Sequence, residues 1–137
     1  MTATLTPQEA LIYAMVTTSA TDNQMSDAEL KRIGSVVKEL PAFDDFDENT
    51  LILQAQACGE LMSGPDGLNQ LLSAIANGLP PHMRETAYIL ACEVAAADEV
   101  FKPEERRFLQ LLANRLNLSH LTCAALARAA AARHQRP

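Results

Sequence analysis

Apolar residues recur with a helical period along most of the chain, and the polar or proline-containing stretches between them predict seven helices. The first begins at Thr6 in TPQE, where a capping threonine is followed by proline and, three residues after the cap, by glutamate. The second begins at Ser26 in SDAE and ends before Pro41. Five more are expected over about residues 48–62, 65–76, 81–97 and 103–117 and from 119 onwards. Runs of β-branched and aromatic residues are few, so we predict an all-α fold, a single bundle of about seven helices.

The fifth predicted helix differs from the others because it is apolar almost all the way round. From Tyr88 to Ala97 its only charged residue is Glu93. A helix with no polar side is typical of a central position, surrounded by other helices. The second and sixth helices instead carry a single apolar stripe each, which is the face expected to be buried.

The chain resembles itself when it is shifted by 76 residues. The shift aligns pairs of equivalent type: Ala20 with Ala96, Asp22 with Asp98, Met25 with Phe101, Glu29 with Glu105, Ile33 with Leu109, Val36 with Leu112 and Leu40 with Leu116. An internal duplication of a helix, acidic loop and helix accounts for this pattern. We therefore predict two similar units, about residues 7–40 and 81–118, related by a pseudo-twofold axis within a single domain of residues 1–137.

Composition and charge narrow the classes of partner. A chain of 137 residues has the size of one domain, and 48% hydrophobic residues with only 4% aromatic ones indicate helices packed through small side chains. The formal net charge is −6, and residues 39–83 contain acidic residues but no lysine or arginine. Such a surface repels a phosphate backbone, so we do not expect nucleic-acid binding.

Three features bear on localisation: the cysteines, the first ten residues and the length of the longest apolar run. The three cysteines, Cys58, Cys92 and Cys123, are far apart in apolar stretches, as expected of small reduced core residues. The first ten residues lack the basic and apolar regions of a secretory signal. The longest apolar run, residues 89–97, is too short to cross a bilayer. We expect a cytoplasmic protein with no direct membrane insertion.

Two carboxylate pairs form the candidate site. Asp22 and Glu29, and again Asp98 and Glu105, lie seven residues apart around the loop between two helices. Each loop can fold its two carboxylates toward one point, and such hard oxygen ligands suit calcium, magnesium or manganese. The span is shorter than the twelve-residue helix–loop–helix calcium loop, so that type of site is excluded.

Helix capping is the competing interpretation of the same residues. Ser26 and Glu29 have the spacing of a capping box, which stabilises a helix without any metal. In the second unit Lys102 stands in the position of the capping serine, yet Asp98 and Glu105 are both present. From the sequence we infer that the capping box is lost there, which favours a metal site.

Other candidate residues have weaker patterns. Glu93 is either a third carboxylate of the second site or a buried partner of an arginine such as Arg84 or Arg107. The three histidines, which have no metal-ligand spacing, are expected at the surface or at helix caps: they are His82, His120 and His134.

Two copies of a helix, an aspartate-containing turn, an apolar residue (Met25 or Phe101) and a helix with glutamate in its first turn resemble the TerB-like family of bacterial tellurite-resistance proteins. The same arrangement is similar to the N-terminal TerB-like domain of membrane-anchored DnaJ-type co-chaperones. The likeness covers about residues 7–118. It departs from the family where Asn23 and Glu99 replace the glycine that often follows the aspartate.

The resemblance implies an all-helical bundle with pseudo-twofold symmetry and acidic clusters for a divalent metal, carried here onto Asp22, Glu29, Asp98 and Glu105. It also implies an interaction or sensing module of a stress response at the inner face of the membrane, with protein partners, rather than an enzyme. Two other hypotheses stay open. One is a purely structural interaction domain without metal. The other is a thiol-dependent redox or oxyanion-handling protein, which requires Cys92 or Cys123 to meet a base or a second thiol.

Overall fold

The structure, a computed structural model, describes residues 4–20, 25–97 and 102–137. Within these ranges the chain forms seven α-helices and no strand, which confirms the predicted all-α fold. The helices are α1 Pro7–Ser19, α2 Asp27–Glu39, α3 Leu51–Ser63, α4 Gly67–Gly78, α5 Arg84–Ala97, α6 Pro103–Arg115 and α7 His120–Arg133. Short 3₁₀ turns at Pro41–Phe43, Glu48–Thr50 and Pro81–Met83 lie in the connections.

The central helix of the bundle is α1, with α5 packed directly against it. Ten consecutive residues of α1, from Ala10 to Ser19, are buried, and the helix contacts α2, α3, α4, α5 and α6. Its polar end is tolerated in the core partly because the Thr18 hydroxyl donates to the Ala14 carbonyl oxygen at 2.8 Å. The sequence pattern assigned the central position to α5, which is also extensively buried, but did not identify α1.

The connection between α3 and α4 is tighter than its sequence suggests. Asp66 adopts a left-handed backbone conformation with φ 54°, so α4 begins at Gly67 rather than at the predicted Pro65. A side chain at Gly67 would overlap the backbone carbonyl of Met62 near the end of α3. Glycine at this position therefore permits the close approach of the two helices.

The remaining helices cover the central pair to different depths. α2 buries only Ile33 and Val37, whereas α6 buries an apolar stripe together with Glu105. α7 lies along α5 and buries only Ala130. None of the helices in the described ranges is long and apolar enough to cross a membrane.

The two predicted repeat units share one feature in the structure. Helices α2 and α6 each contain 13 residues, and their first residues, Asp27 and Pro103, are separated by the 76-residue shift found in the sequence. This correspondence concerns only these two helices, and the internal duplication stays a prediction. The pseudo-twofold symmetry of the whole bundle and the extent of the single domain stay predictions.

Candidate functional site

The structure describes two of the four predicted metal ligands. Glu29 and Glu105 occupy the third position of α2 and of α6, as the sequence predicts. Asp22 and Asp98 lie outside the described residues. The meeting of aspartate and glutamate in each loop therefore stays a prediction.

Glu29 uses one of its carboxylate oxygens to cap α2. The Ser26 hydroxyl oxygen accepts a hydrogen bond from the Glu29 backbone N–H at 3.1 Å, and Glu29 Oε1 accepts from the Ser26 backbone N–H at 3.5 Å. The Ser26 hydroxyl also donates to Oε1 at 3.1 Å. The other oxygen, Oε2, is buried and has no hydrogen-bond partner among the described residues. Capping therefore accounts for only one side of this carboxylate.

Glu105 shows that the second unit keeps part of its cap, which corrects the expectation from the sequence. Its Oε1 accepts a hydrogen bond from the Lys102 backbone N–H at 3.4 Å. The Lys102 ammonium group has no lone pair to offer, so the reciprocal half of a capping box is missing. The inference that capping is lost in this unit was therefore wrong in part, and the presence of Glu105 is not by itself evidence for a metal.

The environments of the two glutamates differ in burial. Glu105 is 1% exposed, whereas Glu29 is half-buried. Full burial is unusual for a glutamate, because an ionised carboxylate must be compensated by hydrogen bonds or opposite charge when it leaves water. Within residues 4–20, 25–97 and 102–137, no group of three or more histidine, cysteine, aspartate or glutamate side chains is arranged to hold a metal. A metal site on either glutamate needs further ligands.

A groove of about 540 Å³ opens between the end of α1 and α3. Thr17 and Ala20 at the end of α1, and Met25 just before α2, form one side. The opposite side belongs to α3, where Ala55, Cys58, Gly59, Glu60, Met62 and Ser63 line it together with Gly64. The sequence did not predict this groove, although its small residues on one helix provide the space that a groove requires.

We call this groove the α1–α3 groove, and Cys58 is one of the residues that line it. Its side chain is 2% exposed, and its sulfur lies 3.4 Å from the Thr17 hydroxyl oxygen. Burial raises the pKa of Cys58 to about 11, and the hydrogen bond with Thr17 offsets only part of that increase. The group is therefore a neutral thiol at physiological pH, a poor nucleophile that packs as a small apolar residue.

Glu93, on α5, pairs with residues at the C-terminal end of α7. Its Oε1 lies 2.6 Å from Arg133 Nε, and its Oε2 lies 2.6 Å from His134 Nε2. The interpretation of Glu93 as the partner of an arginine is confirmed, but that arginine is Arg133. Arg84, one of the two arginines named from the sequence, instead donates to the Leu116 carbonyl oxygen at 3.3 Å. Both carboxylate oxygens are in use, which disfavours Glu93 as a third metal ligand. His134 caps α7, in agreement with its predicted place at a helix end.

Comparison with known proteins identifies one family. Residues 8–129 match the family described as "Tellurite resistance protein TerB", a span that runs from α1 into α7. No curated protein and no solved structure matches the chain significantly. The resemblance inferred from the repeated acidic turns is confirmed, and the chain belongs to the TerB family.

Proposed function

We propose that this chain is a non-enzymatic module of the tellurite-resistance type, which binds a divalent cation weakly and docks a protein partner. The cation sites lie at the loops that join α1 to α2 and α5 to α6, and calcium, magnesium or manganese is the expected ion. The observation that carries the proposal is the buried Oε2 of Glu29, which has no hydrogen-bond donor among the described residues.

A buried carboxylate oxygen without a donor costs free energy, because it has lost its hydration and gained nothing in exchange. A divalent cation compensates that loss directly, and oxygen ligands are those that calcium, magnesium and manganese prefer. Asp22, seven residues before Glu29, is the expected second ligand. Loop carbonyls and water complete such a shell, which makes the affinity modest.

The second site is expected at Glu105 with Asp98, and the environment of Glu105 differs from that of Glu29. Glu105 is 1% exposed and keeps half of a capping interaction, so its replacement should affect stability as well as binding. Glu29 is the cleaner position for testing the cation hypothesis.

The α1–α3 groove is the proposed docking surface. Two methionines, Met25 and Met62, line it, and methionine side chains adapt to varied apolar partners. Glu60 also lines the groove, within a stretch of 45 residues that has no lysine or arginine. An apolar segment of a partner protein with basic residues is therefore its complementary occupant. Met25 follows the α1–α2 loop directly, so a cation there would influence the groove wall.

Calorimetric titration of the metal-stripped full chain with calcium, magnesium and manganese tests the cation site, with thermal melting as a second readout. Wild type should bind weakly and melt at a higher temperature with cation, whereas the Glu29→Gln variant should lose the response of the first site.

Glu9→Gln is the matched control. Glu9 Oε1 accepts the Thr6 backbone N–H at 2.9 Å in an equivalent capping box, but Glu9 belongs to no carboxylate pair. It should lower stability and leave cation binding unchanged. Absence of both heat and a melting shift in stripped wild type would remove the cation from the proposal.

Capture of proteins from a membrane fraction, with and without chelator, tests the docking surface. Gly59→Lys places a cation at the groove, and the Cβ that it adds meets no atom within 4 Å. It should reduce capture, whereas Gly59→Ala should not. If the double variant Asp22→Asn with Asp98→Asn captures the same proteins as wild type, the alternative of a purely structural interaction domain is favoured.

A further inference from the structure

A second pocket, of about 360 Å³, is shared by α1, α3, α4 and the segment that precedes α1. Its wall includes Tyr13 of α1, Ala57 and Leu61 of α3, and Ser73 and Asn77 of α4, and we call it the Tyr13 pocket. It has no lining residue in common with the α1–α3 groove, and none of the described residues that line it is charged. Its volume is in the range of small-molecule sites.

Tyr13 brings an unused hydroxyl to this pocket. The residue is 6% exposed. Among the described residues its hydroxyl has no hydrogen-bond partner, and it is not one of the enclosed atoms that lack one. The exposed part of Tyr13 therefore includes the hydroxyl, at the pocket that the residue lines. Because a buried tyrosine usually finds a partner for its hydroxyl, this one is available to a ligand.

Ser73 supplies a second hydroxyl from α4. Its oxygen accepts a hydrogen bond from Arg115 Nη1 at 2.6 Å, and no described residue accepts its own proton. Arg115 is held against α4 at a second point, where Nη2 donates to Asn69 Oδ1 at 2.6 Å. A charged donor on the Ser73 oxygen makes its hydroxyl proton a stronger donor, because hydrogen bonds in a chain polarise one another. Two hydroxyl donors thus line the pocket, and together they suit an acceptor oxygen.

Two carboxamides complete the polar part of the wall. Gln70 and Asn77 lie seven residues apart on α4, about two helical turns, so they lie on the same side of the helix as Ser73. Both are exposed, as expected of residues at the mouth of a pocket. Each carboxamide can donate and accept hydrogen bonds, which is the pattern that pairs with an amide group.

The charges near the pocket favour a ligand without net charge. Glu9 lies one turn before Tyr13 on α1, and Glu60 lies one turn after Ala57 on α3. These carboxylates repel an anion. Burial is the main cause that raises the pKa of Tyr13, so its hydroxyl keeps its proton at physiological pH and acts as a donor.

We propose that the Tyr13 pocket binds a small uncharged carboxamide. The carbonyl oxygen of the ligand accepts hydrogen bonds from the Tyr13 and Ser73 hydroxyls, and its N–H group donates to the side-chain oxygen of Asn77. Ala57 and Leu61 provide apolar contact for the remainder of the molecule. The carboxamide belongs either to a free small molecule or to the backbone of a peptide, and both have the chemistry that this wall recognises.

An NMR titration of the isotope-labelled, metal-stripped full chain with N-acetylglycinamide tests the site. The backbone amide signals of Ala57, Ser73 and Asn77 should shift saturably, with a Kd of about 1 mM because the probe has few atoms. Tyr13→Phe should raise the Kd roughly fivefold, because it removes one hydrogen bond and keeps the ring. Tyr88→Phe is the matched control, since Tyr88 is 7% exposed and lines a different part of the fold, and it should leave the Kd unchanged.

Two further probes identify the ligand class. N-acetylglycine has the size of N-acetylglycinamide but carries a negative charge, and it should bind roughly tenfold more weakly. A trialanine peptide with acetyl and amide caps separates the two sources of the carboxamide. If it binds more tightly than N-acetylglycinamide, the carboxamide is that of a peptide backbone, and if it does not, the ligand is a free small molecule.

The proposal is wrong if the shifts do not saturate, if they arise outside the pocket, or if N-acetylglycine binds as tightly as the amide. Equal affinity of wild type and Tyr13→Phe would also overturn it. Ala57→Leu adds bulk to the wall at an exposed helical position and should abolish binding, so wild-type affinity in this variant would place the probe elsewhere. Thermal melting of each variant confirms that it is folded, and Asn77→Ala, at an exposed position, provides a second test if Tyr13→Phe unfolds the chain.

Discussion

Glu93 Oε2 on α5 lies 2.6 Å from Nε2 of His134, which caps α7 forty-one residues later in the chain. The other oxygen of the same carboxylate lies 2.6 Å from Arg133 Nε. The Glu93 side chain is 13% exposed, so this contact is better shielded from water than a typical surface ion pair. This contact holds the C-terminal end of α7 against α5, although Ala130 is the only buried residue of α7.

Glu93→Gln should lower the free energy of unfolding by about 1 kcal/mol, because Arg133 and His134 lose the charged acceptor that holds them. Urea denaturation at neutral pH measures this change. Glu48→Gln is the control, since Glu48 pairs with Lys38 at 3.5 Å but both side chains are about half exposed. The control should shift stability by less than about 0.5 kcal/mol. If both substitutions lowered the free energy of unfolding equally, the Glu93 contact would contribute no more than an exposed ion pair.

Lys102→Ser should stabilise the protein. Lys102 has the extended N-cap conformation, φ −77° and ψ 147°, close to that of Ser26, φ −78° and ψ 161°. Its side chain offers no acceptor, however, and the Glu105 N–H donates to the Lys102 carbonyl oxygen at 3.1 Å. Serine supplies that acceptor and completes the capping box, with an expected gain of about 0.5–1 kcal/mol. Ser26→Ala, which removes the corresponding side-chain acceptor at the start of α2, should cost about 1 kcal/mol. Thermal melting of both variants gives the comparison, and a loss of stability in Lys102→Ser would contradict the cap geometry at α6.

Gly67→Ala and Gly59→Ala should have opposite effects. The added Cβ at Gly67 overlaps the backbone of Met62, so the start of α4 must move, with an expected loss of about 3 kcal/mol. A Cβ at Gly59 meets nothing, and alanine there should gain about 0.5–1 kcal/mol from helix propensity. Chemical denaturation distinguishes the two. If the two variants were equally stable, the contact between Gly67 and the Met62 backbone would not constrain the positions of α3 and α4.

Alkaline pH should destabilise the fold through Cys58. Its pKa is about 11 when folded and 9.0 in the absence of the fold, so the folded state holds the proton more tightly. The stabilisation is complete below pH 9 and is lost as the pH rises toward 11. Between these values this thiol lowers the free energy of unfolding by about 1.4 kcal/mol per pH unit.

Denaturation of wild type and Cys58→Ala at pH 8, 9 and 10 isolates this contribution. The alanine variant should be less stable at pH 8 because it loses packing, and the difference should shrink above pH 9. Parallel curves for the two proteins would show that Cys58 does not titrate differently in the folded state. Cys92, whose pKa burial also raises to about 11, contributes a similar fall to both proteins and cancels in the comparison.

The elements that the sequence predicts well are those with local signals. Capping residues, prolines and the period of the apolar stripes placed all seven helices. α2 begins directly after the predicted cap at Ser26, and α6 begins at Pro103 as predicted. The TerB resemblance also rests on local motifs, and the family match confirms it. The start of α4 was missed because the left-handed conformation of Asp66 depends on the contact between Gly67 and Met62, which no local pattern records.

The parts of the site that the sequence did not predict depend on contacts between distant residues. The ion pairs of Glu93 with Arg133 and His134 result from the return of α7 along α5. The half cap at Glu105 was missed because the absence of serine was taken as absence of capping, although the glutamate can accept a backbone N–H on its own. The Asp22 and Asp98 ligands remain predictions.

The burial of α1 determines where substitutions can be tolerated. From Ala10 to Ser19 every residue is enclosed by neighbouring helices, so this segment has no side on which a polar change is harmless. A saturation-mutagenesis profile should therefore show one uninterrupted intolerant block over α1, in place of the three-to-four-residue rhythm of an ordinary surface helix. α7, with Ala130 as its only buried residue, should accept most changes. New binding properties can thus evolve on the outer helices, while the central helix stays unchanged.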